Sequence, residues 1–296
     1  MSDHLTEDAR SLLELSDEAR ILELHGYRWI GYPRAKDILI RLDQLLNRPR
    51  VQRMRNLLIV GHTNNGKSEI LKRFLTLHPA NDNAAGENII VPVMMVQAPP
   101  TPDEGRLYDE ILNKLGAPFR RKDPPGQKLH QIATLFDRIK TRTFIIDDLH
   151  NVLAGNSAAQ RKFCNVIRYI GNELQISIAA AGIDEAFNVL QSDDQLANRF
   201  DSVVLPKWKN DDDYLKLLGS FERVLPLRKR SDLAQDDIAM KLLSMSEGLI
   251  GELSTILNEA AELAIKEKKE RIDLALLKKM RWQLPSNRKY KTPPKQ

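Results

Sequence analysis

One stretch of eight residues constrains this chain more than any other. It follows an apolar run over residues 56–60, which predicts a buried strand, and precedes an amphipathic run over residues 69–75, which predicts a helix. A strand, a turn with glycine at both ends and a helix form the setting that a Walker A phosphate loop requires. The predicted ATP-binding residues here are Gly61, His62, Thr63, Asn64, Asn65, Gly66, Lys67, Ser68 and Glu69.

The residues of this loop have distinct physical tasks. Gly61 and Gly66 are expected to let the backbone curl so that successive N–H groups point at one anion. Lys67 is expected to reach the β- and γ-phosphates, and Ser68 to offer its hydroxyl to Mg²⁺. The alternative is a glycine-rich turn without a ligand. The complete spacing and both flanking elements favour the nucleotide site.

Predicted strands alternate with predicted helices up to about residue 206. After the first strand, strands are predicted over residues 89–96, 143–148, 176–182 and 203–205, and Pro92 favours a bulge or an edge position for the second. This alternation predicts an α/β fold with a parallel five-stranded sheet between helices. Beyond it the pattern is purely helical.

The change of pattern divides the chain into four predicted parts. One helix is expected from Leu5 to Leu24, ended by Gly26. The last residues carry lysines and arginines with prolines and no acidic residue, which predicts disorder. The four parts are an N-terminal helical segment (1–26), an α/β nucleotide-binding core (27–206), a helical lid (207–284) and a basic disordered tail (285–296).

Composition narrows the class of protein. With 42% hydrophobic and 29% charged residues, the chain has the make-up of a globular protein, and it shows neither a membrane-length apolar run nor a signal pattern. The single cysteine, Cys164, excludes an internal disulfide and a multi-cysteine metal site. We therefore expect a cytoplasmic location and no membrane partner. The formal net charge of +5 is compatible with a polyanionic partner.

Two carboxylates end the third predicted strand. Asp147 has the position of a Walker B residue, which holds the Mg²⁺ that bridges the phosphates. Asp148 follows it, where a carboxylate can polarise an attacking water. A solvated turn is the alternative for an acidic pair alone. The upstream phosphate loop favours the catalytic interpretation.

An aromatic segment lies upstream of the first strand. Ile30, Tyr32 and Pro33 are predicted to flank the purine ring of ATP, because this segment lies near the first strand in phosphate-loop folds. The alternative is that these side chains pack the N-terminal helix onto the rest of the protein. The sequence leaves both interpretations open.

Taken together, these motifs resemble an AAA+ ATPase. More narrowly, they resemble the TniB family, ATP-dependent regulators of DNA transposition related to TnsC and more distantly to MuB. The resemblance extends from about residue 27 to residue 282. It is carried by Tyr32-Pro33-Arg34, Asn56-Leu57-Leu58-Ile59-Val60-Gly61, Gly66-Lys67-Ser68, Ile146-Asp147-Asp148-Leu149-His150-Asn151, Leu196-Ala197-Asn198-Arg199-Phe200 and Glu247-Gly248-Leu249-Ile250-Gly251.

The resemblance implies an ATPase that forms a homo-oligomeric ring or filament on duplex DNA. Its partners would be the transposase of the same element and a target-selection protein. By the family's pattern, Lys67 and Ser68 bind ATP and Mg²⁺, Asp147 holds Mg²⁺, and Arg199 acts in trans on a neighbouring subunit's nucleotide. The sequence alone, without the resemblance, favours an ordinary surface arginine at position 199.

Three positions depart from the family's pattern. Asp148 stands where glutamate is usual, and its shorter side chain predicts slow hydrolysis. Glu252 follows Gly251 where a basic sensor residue is common, which puts nucleotide sensing by the lid in doubt. Gly182 stands where a polar side chain is common, and Ser177 and Asp184 are poor substitutes for it by position.

DNA contacts are expected from basic residues. Outside the C-terminal region we identify Arg120, Arg121 and Lys122 as the compact basic cluster, and phosphate contacts by it would be independent of DNA sequence. The alternative is a solvated loop.

Two other functions share the same phosphate loop. One is a small-molecule kinase, which would need an acceptor pocket and no arginine acting in trans. The other is an AAA+ switch or loader of replication, which differs mainly in its partner.

Overall fold

The computed structural model describes residues 3–191 and 194–289, which group into two compact units. The core unit comprises Asp37–Thr63 and Lys67–Leu205. The helical unit comprises Met1–Lys36, Asn64–Gly66 and Pro206–Gln296. The N-terminal segment, predicted as a separate part, therefore groups with the C-terminal helices.

A parallel sheet of five strands forms the centre of the core unit, as predicted. Its strand order is β2-β3-β4-β1-β5, and each pair of neighbours is parallel. β1, β3 and β4 are buried along their whole length, which is why their sequences are apolar except at the strand ends. The strands are β1 (Asn56–Gly61), β2 (Val93–Gln97), β3 (Thr143–Asp147), β4 (Ser177–Gly182) and β5 (Phe200–Leu205).

Helices cover this sheet, and their apolar faces complete its core. Leu107, Ile111, Phe136, Phe163 and Ile167 are each at most 1% exposed and belong to the same cluster as the strand residues. The helices are α3 (Pro33–Leu46, which begins in the helical unit), α4 (Lys67–Leu77), α5 (Glu104–Lys114), α6 (Pro125–Arg138), α7 (Ser157–Glu173), α8 (Ala186–Gln191) and α9 (Asp194–Ala197).

The second strand begins later than predicted. β2 starts after Pro92, and the upstream residue Ile90 forms only an isolated bridge with Asn81. Proline has no N–H to donate to a ladder, so regular pairing begins beyond it. The predicted edge position is confirmed, since β2 is the last strand on one side of the sheet.

The helical unit contains six α-helices among its described residues. The predicted N-terminal helix is wrong as a single element, since α1 and α2 are separated by a short 3₁₀ helix, Leu12–Glu14. The side chains of Thr6 and Ser16 cap the two helices by accepting from the N–H groups of Ala9 and Ala19. The helices are α1 (Glu7–Ser11), α2 (Asp17–Leu24), α10 (Asp212–Val224), α11 (Asp236–Ser246), α12 (Ile250–Lys266) and α13 (Leu274–Lys279).

The described part of the predicted disordered tail is ordered. Pro285–Lys289 forms a 3₁₀ helix, in which the Arg288 guanidinium lies 4.8 Å from the Trp282 ring. Both the N–H and the hydroxyl of Ser286 donate to the carboxylate of Glu247. These contacts offset the chain entropy that the composition alone would leave uncompensated. Residues 290–296 lie outside the described part of the chain.

A buried ion pair joins the N-terminal segment to the C-terminal helices. Arg20 is 0% exposed and donates to both carboxylate oxygens of Glu270, at 2.6 and 2.9 Å. Asp17 accepts from the same guanidinium at 2.9 Å. This bidentate pair explains why the first helices belong to the helical unit.

In the described part of the chain, no helix is long and apolar enough to cross a membrane.

We predict that Arg20→Ala destabilises the helical unit by about 3–5 kcal/mol, because the buried carboxylate of Glu270 loses its bidentate partner and keeps only the exposed Arg228, 3.8 Å away, as a cation. All three tryptophans, Trp29, Trp208 and Trp282, belong to this unit, so urea unfolding followed by tryptophan fluorescence measures its stability. Arg230→Ala is the matched control. Its pair with Asp232 is exposed, so a change within about 0.5 kcal/mol is expected. Equal midpoints for the two variants would contradict the prediction.

Candidate nucleotide-binding site

The predicted phosphate loop connects the end of β1 to the start of α4. Its left-handed turn is made by Asn64, with φ 61°, and Gly66, with φ 83°. Gly61 serves a different purpose from the predicted curl, since a Cβ there would lie 2.7 Å from the carbonyl oxygen of Leu205 on β5. Asparagine tolerates a left-handed backbone better than most residues, so Asn64 can occupy a turn position that often requires glycine.

Lys67 is the central charge of the site. It is only 6% exposed, and its ammonium donates to the carbonyl oxygens of Gly61 and His62 at 2.8 Å each. Burial lowers the pKa of Lys67, while the carboxylates of Asp147, Asp148 and Asp184 act to raise it. A buried ammonium in the first turn of a helix, directly after a strand and a turn, is suited to binding a phosphate group.

The two predicted acidic residues occupy different environments. Asp147 is 7% exposed, and one of its oxygens accepts from the N–H of Asp148 at 2.9 Å. Asp148 has a left-handed backbone, with φ 53°, and its carboxylate accepts from the side-chain amide of Gln97 at 2.7 Å. Gln97 is the register partner of Asp147, so the edge strand orients the second carboxylate.

The residues present fit the predicted Mg²⁺ ion. Ser68 is half-buried in the first turn of α4, and Asp147 supplies a buried carboxylate oxygen. Within the described residues, no three or more histidine, cysteine or acidic side chains form a metal-binding group. Mg²⁺ in nucleotide sites is bound by one or two protein oxygens together with phosphates and water, which this pair can provide.

The tip of the loop is bound within the helical unit. The N–H of Gly251 donates to the carbonyl of Asn64 at 3.0 Å, and the Asn64 amide donates to Glu252 at 2.9 Å. Glu252 is 7% exposed and forms an ion pair with Arg288 at 2.9 Å. Glu252 therefore recognises the loop itself, and Arg288 compensates its buried charge. Asn65 is also held, through a 3.1 Å bond from its amide to the carbonyl of Pro206.

The remaining loop residues are accessible. His62 and Thr63 are exposed. Glu69, on the first turn of α4, forms an exposed ion pair with Lys72 at 2.8 Å. It therefore contributes negative charge near the start of the helix and makes no contact with Lys67.

Tyr32 packs inside the helical unit. It is 5% exposed, its ring meets that of Trp208 edge-on at 5.1 Å, and burial raises its pKa to about 12. For this residue the packing alternative fits the geometry, although its hydroxyl lies 3.8 Å from where a Cβ of Gly66 would be. Ile30 is half-buried and Pro33 is exposed, so both remain predicted purine contacts.

Arg199 lies at the opposite end of the sheet from the phosphate loop of its own chain. It precedes β5, whose first residue pairs with Asn56 and whose last residue pairs with Gly61. Its guanidinium donates to the side chain of Asn172 on α7. A role at the nucleotide would therefore have to be exerted on another subunit.

Ser177, Gly182 and Asp184, the three residues considered for the missing polar side chain, have different environments. Ser177 is buried at the start of β4 and donates to the carbonyl of Leu45, away from the phosphate loop. Gly182 leaves no room for a side chain, because a Cβ there would lie 2.6 Å from that of Ala186. Asp184, by contrast, is exposed and close enough to influence Lys67. Of the three residues, Asp184 is therefore the candidate for the polar group near the phosphates, although its position in the sequence argued against it.

The predicted DNA-binding cluster lies between two helices of the core unit. Arg120, Arg121 and Lys122 are exposed in the connection between α5 and α6. The carbonyl of Arg121 accepts from Lys128, and Asp123 accepts from the N–H of Arg120. These contacts fix the backbone and leave the three side chains facing solvent.

Sequence reasoning missed two contributors to the site, Gln97 and Arg288, and ranked a third, Asp184, too low. Gln97, Asp184 and Arg288 lie far from their partners along the chain, and each is an ordinary polar residue by local pattern. For Gln97 a signal existed, because the carboxyl ends of neighbouring parallel strands meet at one edge of a sheet.

We predict that Gly251→Ala weakens nucleotide binding about tenfold, the equivalent of roughly 1.4 kcal/mol. A Cβ there would lie 1.9 Å from the side-chain oxygen and 2.8 Å from the carbonyl oxygen of Asn64, so the loop tip must move. Titration with a fluorescent ATP analogue measures the affinity. Gly219→Ala, in α10 of the same unit, is the control, since its Cβ meets nothing within 4 Å. Equal affinities for both variants would contradict the prediction.

Known structures with similar coordinates are AAA+ proteins of the Orc/Cdc6 type. The Aeropyrum pernix ORC2 protein in ADPNP–ADP complexes is 15% identical, with a TM-score of 0.63 over 87% of this chain and 70% of its own. Cdc6p from Pyrobaculum aerophilum is 15% identical, with a TM-score of 0.58 over 87% and 68%. The Aeropyrum pernix ORC1 protein in complex with DNA is 16% identical, with a TM-score of 0.55 over 88% and 67%. These similarities confirm the predicted AAA+ fold.

The sequence comparisons place the chain more narrowly. No curated protein sequence matches it. Residues 20–210 match the family model of the bacterial TniB protein, and this match covers more than half of the 296 residues. The chain, an AAA+ ATPase by fold, therefore belongs to the TniB family.

Proposed function

We propose that this protein is an ATP-dependent regulator of DNA transposition. In the ATP-bound state it oligomerises on target duplex DNA, recruits or activates the transposase of the same element, and leaves the DNA after hydrolysis. The observation that carries this proposal is the buried Lys67 between a phosphate loop and three carboxylates, in a chain of the TniB family. The similar archaeal proteins, one in ADPNP–ADP complexes and another in complex with DNA, support it.

The chain's own residues supply the steps of hydrolysis. Lys67 and the loop N–H groups hold the phosphates, and Ser68 with Asp147 would hold Mg²⁺, which neutralises phosphate charge when bound. Water attacks the γ-phosphorus, the bond to the β–γ bridging oxygen breaks, and ADP and phosphate result. Asp148 orients the water and accepts its proton.

Slow turnover is part of this proposal. Asp148 is shorter than the usual glutamate by one methylene, and its carboxylate is already bonded to Gln97 at 2.7 Å. To act as a general base, Asp148 must also accept a hydrogen bond from the attacking water while Gln97 holds its carboxylate. Its position relative to the γ-phosphorus is therefore less favourable than that of a glutamate. A long-lived ATP state suits a protein whose bound nucleotide signals assembly.

Arg199 completes the site of a neighbouring subunit in this proposal. Its guanidinium lies at the amino end of β5, while the phosphate loop lies at the carboxyl end of β1, and β1 and β5 are parallel neighbours. An arginine in trans makes hydrolysis depend on assembly, because an isolated subunit lacks the transition-state cation.

The first test is DNA binding in different nucleotide states. With ATP or a slowly hydrolysed analogue, the full chain is expected to bind labelled duplex DNA and to form rings or filaments in electron micrographs. With ADP it is expected to release the DNA. Lys67→Ala should abolish the ATP dependence, because it removes the buried cation. Equal binding in both states would contradict the proposal, and assemblies that fail to engage the transposase would favour the replication-loader alternative.

The second test mixes two inactive variants. Asp148→Asn and Arg199→Ala are each expected to lower ATP turnover by about 10²-fold or more. In a random equal mixture, roughly a quarter of the interfaces join an intact Asp148 to an intact Arg199, so roughly a quarter of wild-type turnover should return. Phosphate release measures the rate. If the mixture is as inactive as its components, Arg199 does not act in trans.

A further inference from the structure

An arginine-rich segment connects α3 to β1. Arg48, Arg50, Arg53 and Arg55 occur within eight residues that contain no acidic side chain. This corrects our sequence interpretation, in which Arg120, Arg121 and Lys122 stood as the compact basic cluster outside the C-terminal region. We name residues 48–55 the arginine segment. It lies entirely within the core unit.

The arginine segment borders a cleft of about 470 Å³. Arg41 projects into it from α3, and Arg48 and Arg55 line it from the two ends of the segment. Its other polar lining residues are Gln44, Asn56 and Asp201. Three guanidinium groups with one carboxylate give this cleft a clear surplus of positive charge.

The surrounding surface extends this surplus. Arg142 donates to the carbonyl of Arg48, and Lys140 shares Asp137 with Arg50, at 3.9 and 3.8 Å. With these neighbours, the surface carries seven cations and two carboxylates. Its surplus of five positive charges equals the formal net charge of the whole chain. The remainder of the protein is therefore neutral on balance.

These cations are weakly paired within the protein. Arg55 lies 3.6 Å from Asp201, with both side chains more than half exposed, so this pair contributes at most about 1 kcal/mol. Among the described residues, no carboxylate lies within 4 Å of Arg41, Arg48 or Arg53. Asp43, which lies between Arg41 and Arg48 in the sequence, pairs instead with His78 at 2.7 Å.

The backbone that presents these arginines is held firmly. Met54 is 3% exposed, and its sulfur accepts from the N–H of Val51 at 3.3 Å. The hydroxyl of Ser177 donates to the carbonyl of Leu45 just before the segment, and the carbonyl of Arg48 is bound by Arg142. The guanidinium groups therefore extend from a fixed backbone, which lowers the entropy lost on binding a ligand.

The cleft is separate from the phosphate loop. It lies at the amino end of β1, beside Asn56, whereas the phosphate loop begins at the carboxyl end of the same strand, at Gly61. Six residues of strand span about 20 Å. A ligand in the cleft is thus a different molecule from the nucleotide bound by Lys67.

We infer that the arginine segment and its cleft bind the phosphate backbone of duplex DNA. This inference rests on the proposed function and names the surface through which it operates. Guanidinium groups match phosphate oxygens in a bidentate manner, and several on one rigid surface follow a regular polyanion. The apolar lining residues Leu45 and Leu57 are buried, and Val51 is the segment's exposed apolar side chain. Such a surface lacks the apolar centre typical of protein interfaces.

The test uses the full chain with ATP and a fluorescently labelled duplex. Arg48→Gln/Arg53→Gln is expected to weaken DNA binding at least tenfold at low salt. It should also reduce the slope of log K against log salt by about 2, since each lost phosphate contact removes about 0.9. Arg106→Gln/Arg161→Gln is the control, because it removes the same charge from exposed sites elsewhere in the core unit. ATP affinity and circular dichroism establish that the variants fold.

The possible results separate the inference from the proposed function. If the wild type binds DNA and both double variants bind equally well, the inference is wrong and the proposed function stands. Loss of binding by Arg120→Gln/Arg121→Gln alone would then assign the DNA contact to that cluster. If the segment variant binds DNA normally but loses an acidic protein partner, the inference is also overturned. If the wild type does not bind DNA with ATP, the proposed function fails and the inference with it.

Discussion

The architecture of the site depends on keeping the ammonium of Lys67 charged while it is only 6% exposed. Two loop carbonyls bind it directly, and three carboxylates oppose the effect of burial on its pKa. Asp147 ends β3, Asp148 follows it, and Asp184 follows β4. In the sheet β4 lies next to β1, and β3 lies next to β4. A parallel sheet collects such side chains at its carboxyl edge, so the fold itself assembles the charge balance that a phosphate-binding lysine needs.

The two ends of β1 differ in the charges that surround them. At the carboxyl end, one buried cation, Lys67, lies among three carboxylates at the candidate nucleotide site. At the amino end, the arginine segment concentrates positive charge that has little internal compensation. A mild overall charge of +5 thus conceals an uneven distribution, and it is the distribution that decides which surface attracts a polyanion.

The two main departures from the family's pattern have structural explanations. Asp148 has a left-handed backbone, which aspartate adopts more readily than glutamate, and Gln97 fixes its carboxylate. Glu252 binds the amide of Asn64 and is neutralised by Arg288 from the C-terminal 3₁₀ helix. The negative charge of Glu252 makes it unsuited to contact a phosphate, but its carboxylate can accept a hydrogen bond from the tip of the loop.

The sequence by itself determined the phosphate loop, the acidic strand end, the parallel sheet and the family, because these are written in contiguous motifs and short periodicities. Tertiary structure decided the rest. It grouped the first helices with the last through Arg20 and Glu270, 250 residues apart, and it paired Glu252 with Arg288. Such pairs depend on which charges become buried together, and burial follows from packing that no local pattern encodes. For the same reason the arginine segment was visible in the sequence, while its cleft was not.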